Sequence, residues 1–321
     1  MPGRAREGSS LYSLIVPVYR NQDSIPDLLE VLRGLHRELE GRLEVVLVVD
    51  GSPDASASLL REQLPKSGLR SRLLLLSRNF GSFPAIRAGL AAAEGPYFAV
   101  MAADLQEPPE LMVTFFRALE SEPVEVVVGT RSTRGDPMLS RWASRVFWRL
   151  YRRLVQSEVP PGGVDVFGCT RTVRDHLLGL EEANTTLVGL LFWLGFPRKL
   201  VPYDRRPRLH GRSAWTWNGR LRYLTDSIFA FSDLPIRLLI LAGVLGLVIS
   251  ITFAIVVLIL RLSGLIPVPG YSGTVLTITF FAALNSLGLG ILGSYLWRAF
   301  ENTKGRPESV VMARYDYGGE A

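Results

Sequence analysis

Cysteine is almost absent from this sequence of 321 residues, because Cys169 is its one example. One thiol cannot close an internal disulfide, so the chain is not a disulfide-stapled secreted domain and suits a reducing compartment. The sequence also lacks internal repeats, low-complexity tracts and a basic stripe interleaved with aromatic residues. Such a stripe is typical of a nucleic-acid surface, so we expect no nucleic-acid partner.

A signal peptide is also missing from the pattern at the start of the chain. Residues 1–10 carry charges, and the LYSLIVPVY that follows is typical of a core strand rather than a leader. We expect residues 1–10 to be a flexible N-terminal segment. The net charge of +6 is modest and mostly due to arginine, which suits an anionic membrane surface and phosphorylated ligands.

Long apolar runs, in contrast, are present twice in the second half of the chain. Residues 236–260 contain one charge, Arg237, and residues 275–297 contain none. About 20 apolar residues cross the hydrocarbon core of a bilayer as a helix, so both runs are long enough. Buried helices of a soluble protein are the alternative, which two such lengths in succession disfavour. We predict two transmembrane helices within residues 236–300, preceded by an interfacial amphipathic helix at 215–235.

Basic residues flank this predicted hairpin. The loop between the spans has one arginine at its edge, whereas the flanks carry Arg220, Arg222, Arg237, Arg298, Lys304 and Arg306. By the positive-inside rule, both termini are cytoplasmic, including a tail at residues 301–321. Residues 138–155 mix aromatic residues with five arginines. This pattern fits either a further interfacial helix or an ordinary helix packed on the domain.

Strand-like and helix-like segments alternate in the N-terminal part of the chain. The strand-like segments are LYSLIVPV, LEVVLVVD, SRLLLLS, PYFAVMAA and VEVVVGT, with amphipathic segments between them. Near-continuous apolar strands separated by helices indicate a mostly parallel sheet covered on both faces. We therefore predict an α/β fold, with its domain at residues 11–214.

Polar clusters follow all five predicted strands. In order, they are YRN, DGS, RNFG, ADLQ and GTR. Because the carboxyl ends of parallel strands meet at one edge of a sheet, where ligands bind in such folds, we expect these clusters to form a site.

The first two clusters are suited to a nucleotide. Asp50 can accept a hydrogen bond from a base or ribose, and Gly51 permits a close turn. A strand that ends in Asp-Gly-Ser is equally an ordinary turn, and Tyr19 could instead cover the core, so these alternatives remain open. The candidate nucleotide-binding residues are Pro17, Tyr19, Asn21, Asp50, Gly51 and Ser52.

The fourth cluster is suited to a divalent cation. Asp104 and Gln106 place oxygen ligands on alternate residues of an extended segment. Mg²⁺ and similar ions take carboxylate and amide oxygens and complete their shell with substrate phosphates. A metal there would neutralise charge on a departing diphosphate. Glu107 and Glu110 are better interpreted as helix-start residues, because two prolines lie between them.

Arginines supply the candidate phosphate contacts. Arg131 ends the fifth predicted strand, where a guanidinium can take two phosphate oxygens at once. More arginines precede the membrane-proximal segment, either as a solvated basic loop near anionic lipid or as a cradle for phosphates. The candidate phosphate or acceptor residues are Arg131, Arg206, Arg208, Arg212 and Ser213.

Taken together, these motifs carry a family resemblance. PVYRN, VVDGSPD, LSRNFGSFPAIRAGL, ADLQEPPE, GTR, NTTLVGLLFWLGF and RPRLHGRS occur in this order before the hairpin. The chain resembles the polyisoprenyl-phosphate glycosyltransferases of glycosyltransferase family 2, over roughly residues 11–310. Within these it is similar to the bacterial type that uses undecaprenyl phosphate, with dolichol-phosphate mannose synthase as a more distant relative.

The resemblance implies a Rossmann-like GT-A fold and an inverting transfer from a nucleotide-sugar donor to a polyprenyl phosphate. It also implies Mg²⁺ or Mn²⁺ held by Asp104 and Gln106, with Asp104 and Arg131 in catalytic roles. The expected setting is a bacterial plasma membrane, with a multi-pass chain, a cytoplasmic catalytic domain and a role in cell-envelope glycans. The family further implies a homo-oligomer, a tetramer.

Four positions depart from the family pattern. Asp50 follows Val49 rather than a second aspartate, Ala102 replaces the first residue of Asp-x-Asp, Ala214 replaces the lysine of Gly-x-Ser-Lys, and Asp165 lies in an altered glycine loop. Two alternatives follow. A catalytically lapsed membrane scaffold is one, and the other is a processive polysaccharide synthase, which the absence of Gln-x-x-Arg-Trp disfavours.

Overall fold

The computed structural model describes most of the chain. The described residues are 12–131, 152–153, 158–160, 164, 166–182, 185–207, 225–230, 232, 234–263 and 270–318. Several sequence predictions fall outside them: the N-terminal segment 1–10, the helix within 138–151, most of the interfacial helix at 215–235, and the residues Asp165, Arg208, Arg212, Ser213 and Ala214.

Alternating strands and helices make up the first part of the described chain. They are β1 (Tyr12–Val18), α1 (Ile25–Glu38), β2 (Leu43–Val49), α2 (Ser56–Gln63), β3 (Arg70–Leu76), α3 (Ser82–Ala92), β4 (Tyr97–Val100), α4 (Glu110–Ser121) and β5 (Val126–Arg131). Each of the five predicted strands is confirmed. Their apolar runs explain this outcome, since all seven residues of β2 are buried.

The second part of the chain adds three strands that the sequence did not predict. Its elements are β6 (Phe167–Thr170), α5 (Arg171–Gly179), α6 (Leu187–Trp193), β7 (Arg198–Tyr203), α7 (Leu234–Leu262), α8 (Tyr271–Thr303) and β8 (Val311–Tyr317). Residues 225–230 are also helical, within the segment predicted to be interfacial.

One mixed sheet collects all eight of these strands in the order β7-β5-β6-β4-β1-β2-β3-β8. The pairs β1–β2, β1–β4, β2–β3 and β5–β7 are parallel, while β6 and β8 pair antiparallel with their neighbours. The predicted α/β architecture with a mostly parallel, Rossmann-like sheet is therefore confirmed.

Apolar cores lie on both faces of the sheet. Leu14 and Val16 of β1 point into one core with α1 and α4, whereas Ile15 points into the other with α3 and α5. This alternation is the period of two expected for a strand buried on both sides. Cys169 lies in the second core, and burial raises the pKa of its thiol to about 12, which keeps it protonated and unreactive.

Strand β8 changes the predicted C-terminal boundary. Residues 301–321 are predicted as a tail, yet Val311–Tyr317 pairs along the whole of β3 as the edge of the sheet. Tyr315 and Tyr317 pack against the core beneath β3. Arg72 of β3 adds a side-chain contact to this pairing, because its Nε lies 2.7 Å from Asp316 Oδ1 of β8.

Replacing Arg72 should loosen β8. We expect Arg72→Met to speed amide hydrogen exchange in β8 by about two- to fivefold, because the half-exposed ion pair with Asp316 of β8 is lost and such a pair contributes under about 1 kcal/mol. Exchange measured by mass spectrometry on the full chain tests this. Lys66→Met removes a surface pair with Glu62 alone and should leave β8 unchanged; equal exchange in both variants would contradict the role of Arg72.

The helices α7 and α8 are long, apolar and exposed. The candidate spans are Leu234–Phe253, with mean hydropathy 2.4, and Phe280–Thr303, with mean hydropathy 1.3. Only 6% of each stretch is buried, unlike the core helix of a soluble protein. The two helices pack where glycines allow close approach, since Gly246 faces Phe281 and Gly288 faces Leu239. The described structure thus contains the predicted helical hairpin.

Candidate active site

The polar ends of β1 and β2 are joined through Ser52. Its Oγ accepts a hydrogen bond from the main-chain N–H of Arg20 at 2.8 Å and donates to Asp54 Oδ1 at 2.6 Å. Arg20 reaches this position with a φ of 56°, which is uncommon for a residue with a side chain. Ser52 therefore fixes the shape of the predicted nucleotide-binding edge.

Tyr19 and Asn21 lie on the same turn after β1. The side-chain oxygen of Asn21 accepts from the Tyr19 N–H at 3.0 Å, and the Asn21 N–H donates to Ser56 Oγ at 3.3 Å. Tyr19 and Pro17 are half-buried. These contacts support the turn, and the guanidinium of Arg20 lies over the Tyr19 ring, 5.4 Å from its centre.

Asp50 binds the loop after β3. Its two carboxylate oxygens accept hydrogen bonds from the N–H groups of Phe80 at 2.7 Å and Gly81 at 2.8 Å. Burial raises the pKa of Asp50, while these bonds and nearby Arg78 oppose the rise. Asp50 is therefore first a loop anchor, and its remaining lone pairs are what it can offer a ligand.

Gly51 lets the second and third strand ends touch. Its φ is 55°, and a Cβ placed there would lie 2.2 Å from the carbonyl carbon of Arg78 and 2.4 Å from the nitrogen of Asn79. No side chain fits at these distances. The DGS segment is thus a constrained junction rather than an ordinary surface turn.

Asp54 was not among the predicted site residues. It accepts hydrogen bonds from Ser52 Oγ and from the N–H groups of Ser56 and Gln22. Burial alone would raise the pKa of Asp54, but these hydrogen bonds outweigh it and hold the pKa below its ordinary value. The sequence signal was available, since Asp54 lies in the same VVDGSPD segment, but its partners are not visible in the sequence.

Asp104 follows β4 in a tight turn. Its Oδ1 accepts from the Gln106 N–H at 3.4 Å, and Leu105 between them has a φ of 54°. Asp104 is half-buried, so its carboxylate is within reach of solvent. Glu110 begins α4, as interpreted from the sequence, whereas Glu107 lies three residues before the helix and is buried.

Gln106 is engaged by the segment after β7. Its Oε1 accepts from Nη2 of Arg205 at 2.5 Å, and its Nε2 donates to the carbonyl oxygen of Arg206 at 3.3 Å. The main-chain N–H of Arg206 also donates to the carbonyl oxygen of Gln106 at 2.8 Å. These contacts bring the predicted metal loop and the predicted phosphate segment together.

Arg131 lies at the end of β5, and Arg206 lies just beyond the end of the neighbouring parallel strand β7. Arg131 ends β5 opposite Tyr203 of β7, and three residues beyond Tyr203 the side chain of Arg206 lies 3.5 Å from Glu110 Oε2. A cavity of about 550 Å³ separates the start of α4 from β7 and is lined by residues of both. The nucleotide-binding candidates lie outside this cavity.

The chemistry of the described donors fits a divalent cation only in part. The described residues contain no cluster of three or more His, Cys, Asp or Glu side chains. Asp104 offers a half-buried carboxylate, and the oxygen of Gln106 accepts a hydrogen bond from Arg205. Asp104, with Gln106 once released, would therefore hold the cation together with phosphate oxygens of a donor.

The sheet order and the parallel strands define a Rossmann-like fold of the GT-A type. The sequence profile of glycosyl transferase family 2 matches residues 13–179. The chain belongs to this family. It is therefore a glycosyltransferase, as the ordered motifs predict.

Relatives match over nearly the whole chain. An uncharacterized glycosyltransferase of Bacillus subtilis, YkcC, is 32% identical and covers 95% of this chain and 94% of its own length. An undecaprenyl-phosphate 4-deoxy-4-formamido-L-arabinose transferase of Pseudomonas savastanoi is 31% identical, with coverages of 93% and 89%. The mannosyltransferase PcManGT of Pyrobaculum calidifontis, solved with GDP-Man and Mn2+, has a TM-score of 0.50 at 16% identity, with coverages of 92% and 87%.

Proposed function

We propose that this protein transfers a sugar from a nucleoside-diphosphate sugar to a polyprenyl phosphate, undecaprenyl phosphate in a bacterium. The observation that carries the proposal is the joining of the polar strand ends to two exposed apolar helices through strand β8 of the same sheet. This arrangement suits one soluble and one lipid substrate. The Pseudomonas relative, named for an undecaprenyl-phosphate acceptor, supports the same choice.

The proposed reaction is a direct displacement. A phosphate oxygen of the acceptor attacks the anomeric carbon, the bond from that carbon to the donor diphosphate breaks, and the configuration inverts. The attacking oxygen is already anionic, so the protein needs no strong base. A bound divalent cation would neutralise charge on the leaving diphosphate. Asp104 would hold that cation, and Arg131 would stabilise the same developing charge.

The nucleoside would bind across the ends of β1 and β2. Pro17 and Tyr19 would frame the base, and Asn21, Asp50 and Ser52 would supply hydrogen bonds around the rigid junction at Gly51. The acceptor phosphate would be bound by Arg206, Arg208, Arg212 and Ser213, of which Arg206 lies within the described residues beside the Asp104 turn.

A membrane location follows from the exposed hairpin. Because β3 and β8 pair in one sheet, the chain before α7 and after α8 lies on the same side of any membrane that the hairpin crosses. Two crossings meet this condition. We therefore propose a multi-pass protein of the bacterial plasma membrane, with the catalytic domain and both termini in the cytoplasm, acting on cell-envelope glycans. A tetramer remains a prediction from the family resemblance.

A donor screen tests the proposed function. Purified protein with undecaprenyl phosphate, a set of nucleotide sugars and Mg²⁺ or Mn²⁺ should form a lipid-linked sugar detectable by mass spectrometry. Chelation of the metal with EDTA should stop product formation, and readdition should restore it. If no donor binds and no product forms, the scaffold alternative replaces the enzyme; long glycan products would instead favour a polysaccharide synthase.

A further inference from the structure

Arg205 occupies the oxygen atom of Gln106 that a divalent cation would need. Nη2 of Arg205 lies 2.5 Å from Gln106 Oε1, and the other end of the same amide donates to the carbonyl oxygen of Arg206 at 3.3 Å. The main-chain N–H of Arg206 also donates a hydrogen bond to the carbonyl oxygen of Gln106 at 2.8 Å. Gln106 is 9% exposed, so this arrangement is largely shielded from water.

Two contacts within the described residues determine the orientation of the Gln106 amide. A guanidinium has donors and no acceptor, while a carbonyl oxygen can only accept. A flipped amide would aim its NH₂ at Arg205 and its oxygen at the Arg206 carbonyl, which loses both hydrogen bonds. Oε1 must therefore face Arg205 as long as the segment 205–206 stays in place.

A cation and Arg205 cannot share this oxygen without cost. Both are positive, and a shared ligand atom would bring them within a few ångströms of each other, where repulsion is strong at low dielectric. Arg205 is also incompletely satisfied, since its Nε is buried without a hydrogen-bond partner among the described residues. A buried donor without a partner lowers the cost of moving the guanidinium away.

We propose that Arg205 is a positioning residue that withholds Gln106 from the divalent cation, so that cation binding at Gln106 requires Arg205 to leave. The inference rests on the proposed function, because it concerns the cation of that reaction. Asp104 binds the cation first, and Gln106 becomes a second ligand only after Arg205 has left its side-chain oxygen. Departure of Arg205 also removes one of the contacts between residues 205–206 and the Asp104 turn, which links cation binding to the predicted phosphate-binding segment.

Mn²⁺ binding to the full chain in detergent tests this without any sugar donor or acceptor. Free Mn²⁺ is measured by its electron paramagnetic resonance signal for the wild type, Arg205→Ala, Gln106→Met and the double variant. We expect Arg205→Ala to tighten Mn²⁺ binding about tenfold, because a charge-assisted hydrogen bond no longer has to break. In the Gln106→Met background, Arg205→Ala should bring no gain.

Lys199→Ala is the matched control for loss of one positive charge. Lys199 lies on β7 and pairs with Glu122, away from Gln106, so its variant should bind Mn²⁺ as the wild type does. Equal affinity of Arg205→Ala and wild type would overturn the proposal, as would the same gain in Lys199→Ala or in the Gln106→Met background. If Gln106→Met does not fold, the Mn²⁺ affinities of Arg205→Ala and Lys199→Ala, each compared with the wild type, still test the proposal. If the variants bind Mn²⁺ as expected but the wild type transfers no sugar in the donor screen, the proposed function is contradicted and the role of Arg205 is not.

Discussion

Asp104→Asn should lower the rate of sugar transfer by about 10²- to 10³-fold while the protein stays folded. The substitution keeps an oxygen that can accept from the Gln106 N–H, so the turn after β4 should persist. It removes the negative charge that would hold a divalent cation next to the leaving diphosphate. Initial rates with the donor found by the screen, at saturating Mg²⁺, measure the effect.

Glu110→Gln provides the control for this prediction. Glu110 is exposed, begins α4 and pairs with Arg206 at 3.5 Å, so the variant removes a carboxylate of the same neighbourhood that lies outside the proposed cation site. We expect its rate to stay within about twofold of the wild type, since exposed pairs contribute little. Wild-type activity of Asp104→Asn would refute the proposed cation site at this turn.

Gly51→Ala should destabilise the catalytic domain by about 3 kcal/mol or more. The added Cβ would lie 2.2 Å from the main-chain carbonyl carbon of Arg78, and backbone cannot rotate away as a side chain can. The loop after β3 would have to shift, and with it the N–H groups that Asp50 binds. Thermal unfolding followed by circular dichroism measures the stability, and nucleotide titration measures the accompanying loss of binding.

Gly68→Ala separates the two causes of this effect. Gly68 has a φ of 72°, and no atom lies within 4 Å of the position that an added methyl group would take, so its variant bears the conformational cost without the clash. That cost is about 1 kcal/mol. If both variants lose the same stability, the close approach of the β3 loop to Gly51 is not what requires glycine there.

Local patterns were sufficient for the strands that contain long apolar runs. Buried runs identify β1 to β5, and length and hydropathy identify the hairpin helices, because each signal lies within one segment. β8 could not be found this way. It is half exposed, and its ion pair with Arg72 joins residues 244 positions apart in the chain, so its place depends on a partner that no local pattern identifies.

The candidate site shows the same division. The polar strand ends were predicted to converge, because parallel strands impose that geometry. Their individual partners were not predicted: Asp50 binds main-chain N–H groups of another loop, and Gln106 binds Arg205 and Arg206. Residue type identifies a donor or acceptor, but the loop conformation decides which partner it meets. The roles proposed for these residues in binding nucleotide and cation remain predictions.

Strand β8 also sets an order of events during biosynthesis. β3 leaves the ribosome well before β8, because α7 and α8 lie between them in the chain. In the interval, β3 is a bare sheet edge with unpaired N–H and C=O groups, the kind of surface on which other chains aggregate. In the proposed topology, the sheet is completed only after the hairpin has entered the bilayer and the chain has returned. A chain whose hairpin failed to insert would therefore keep β3 without its partner strand. Chaperones and proteases could bind that open edge before the chain became active away from the membrane.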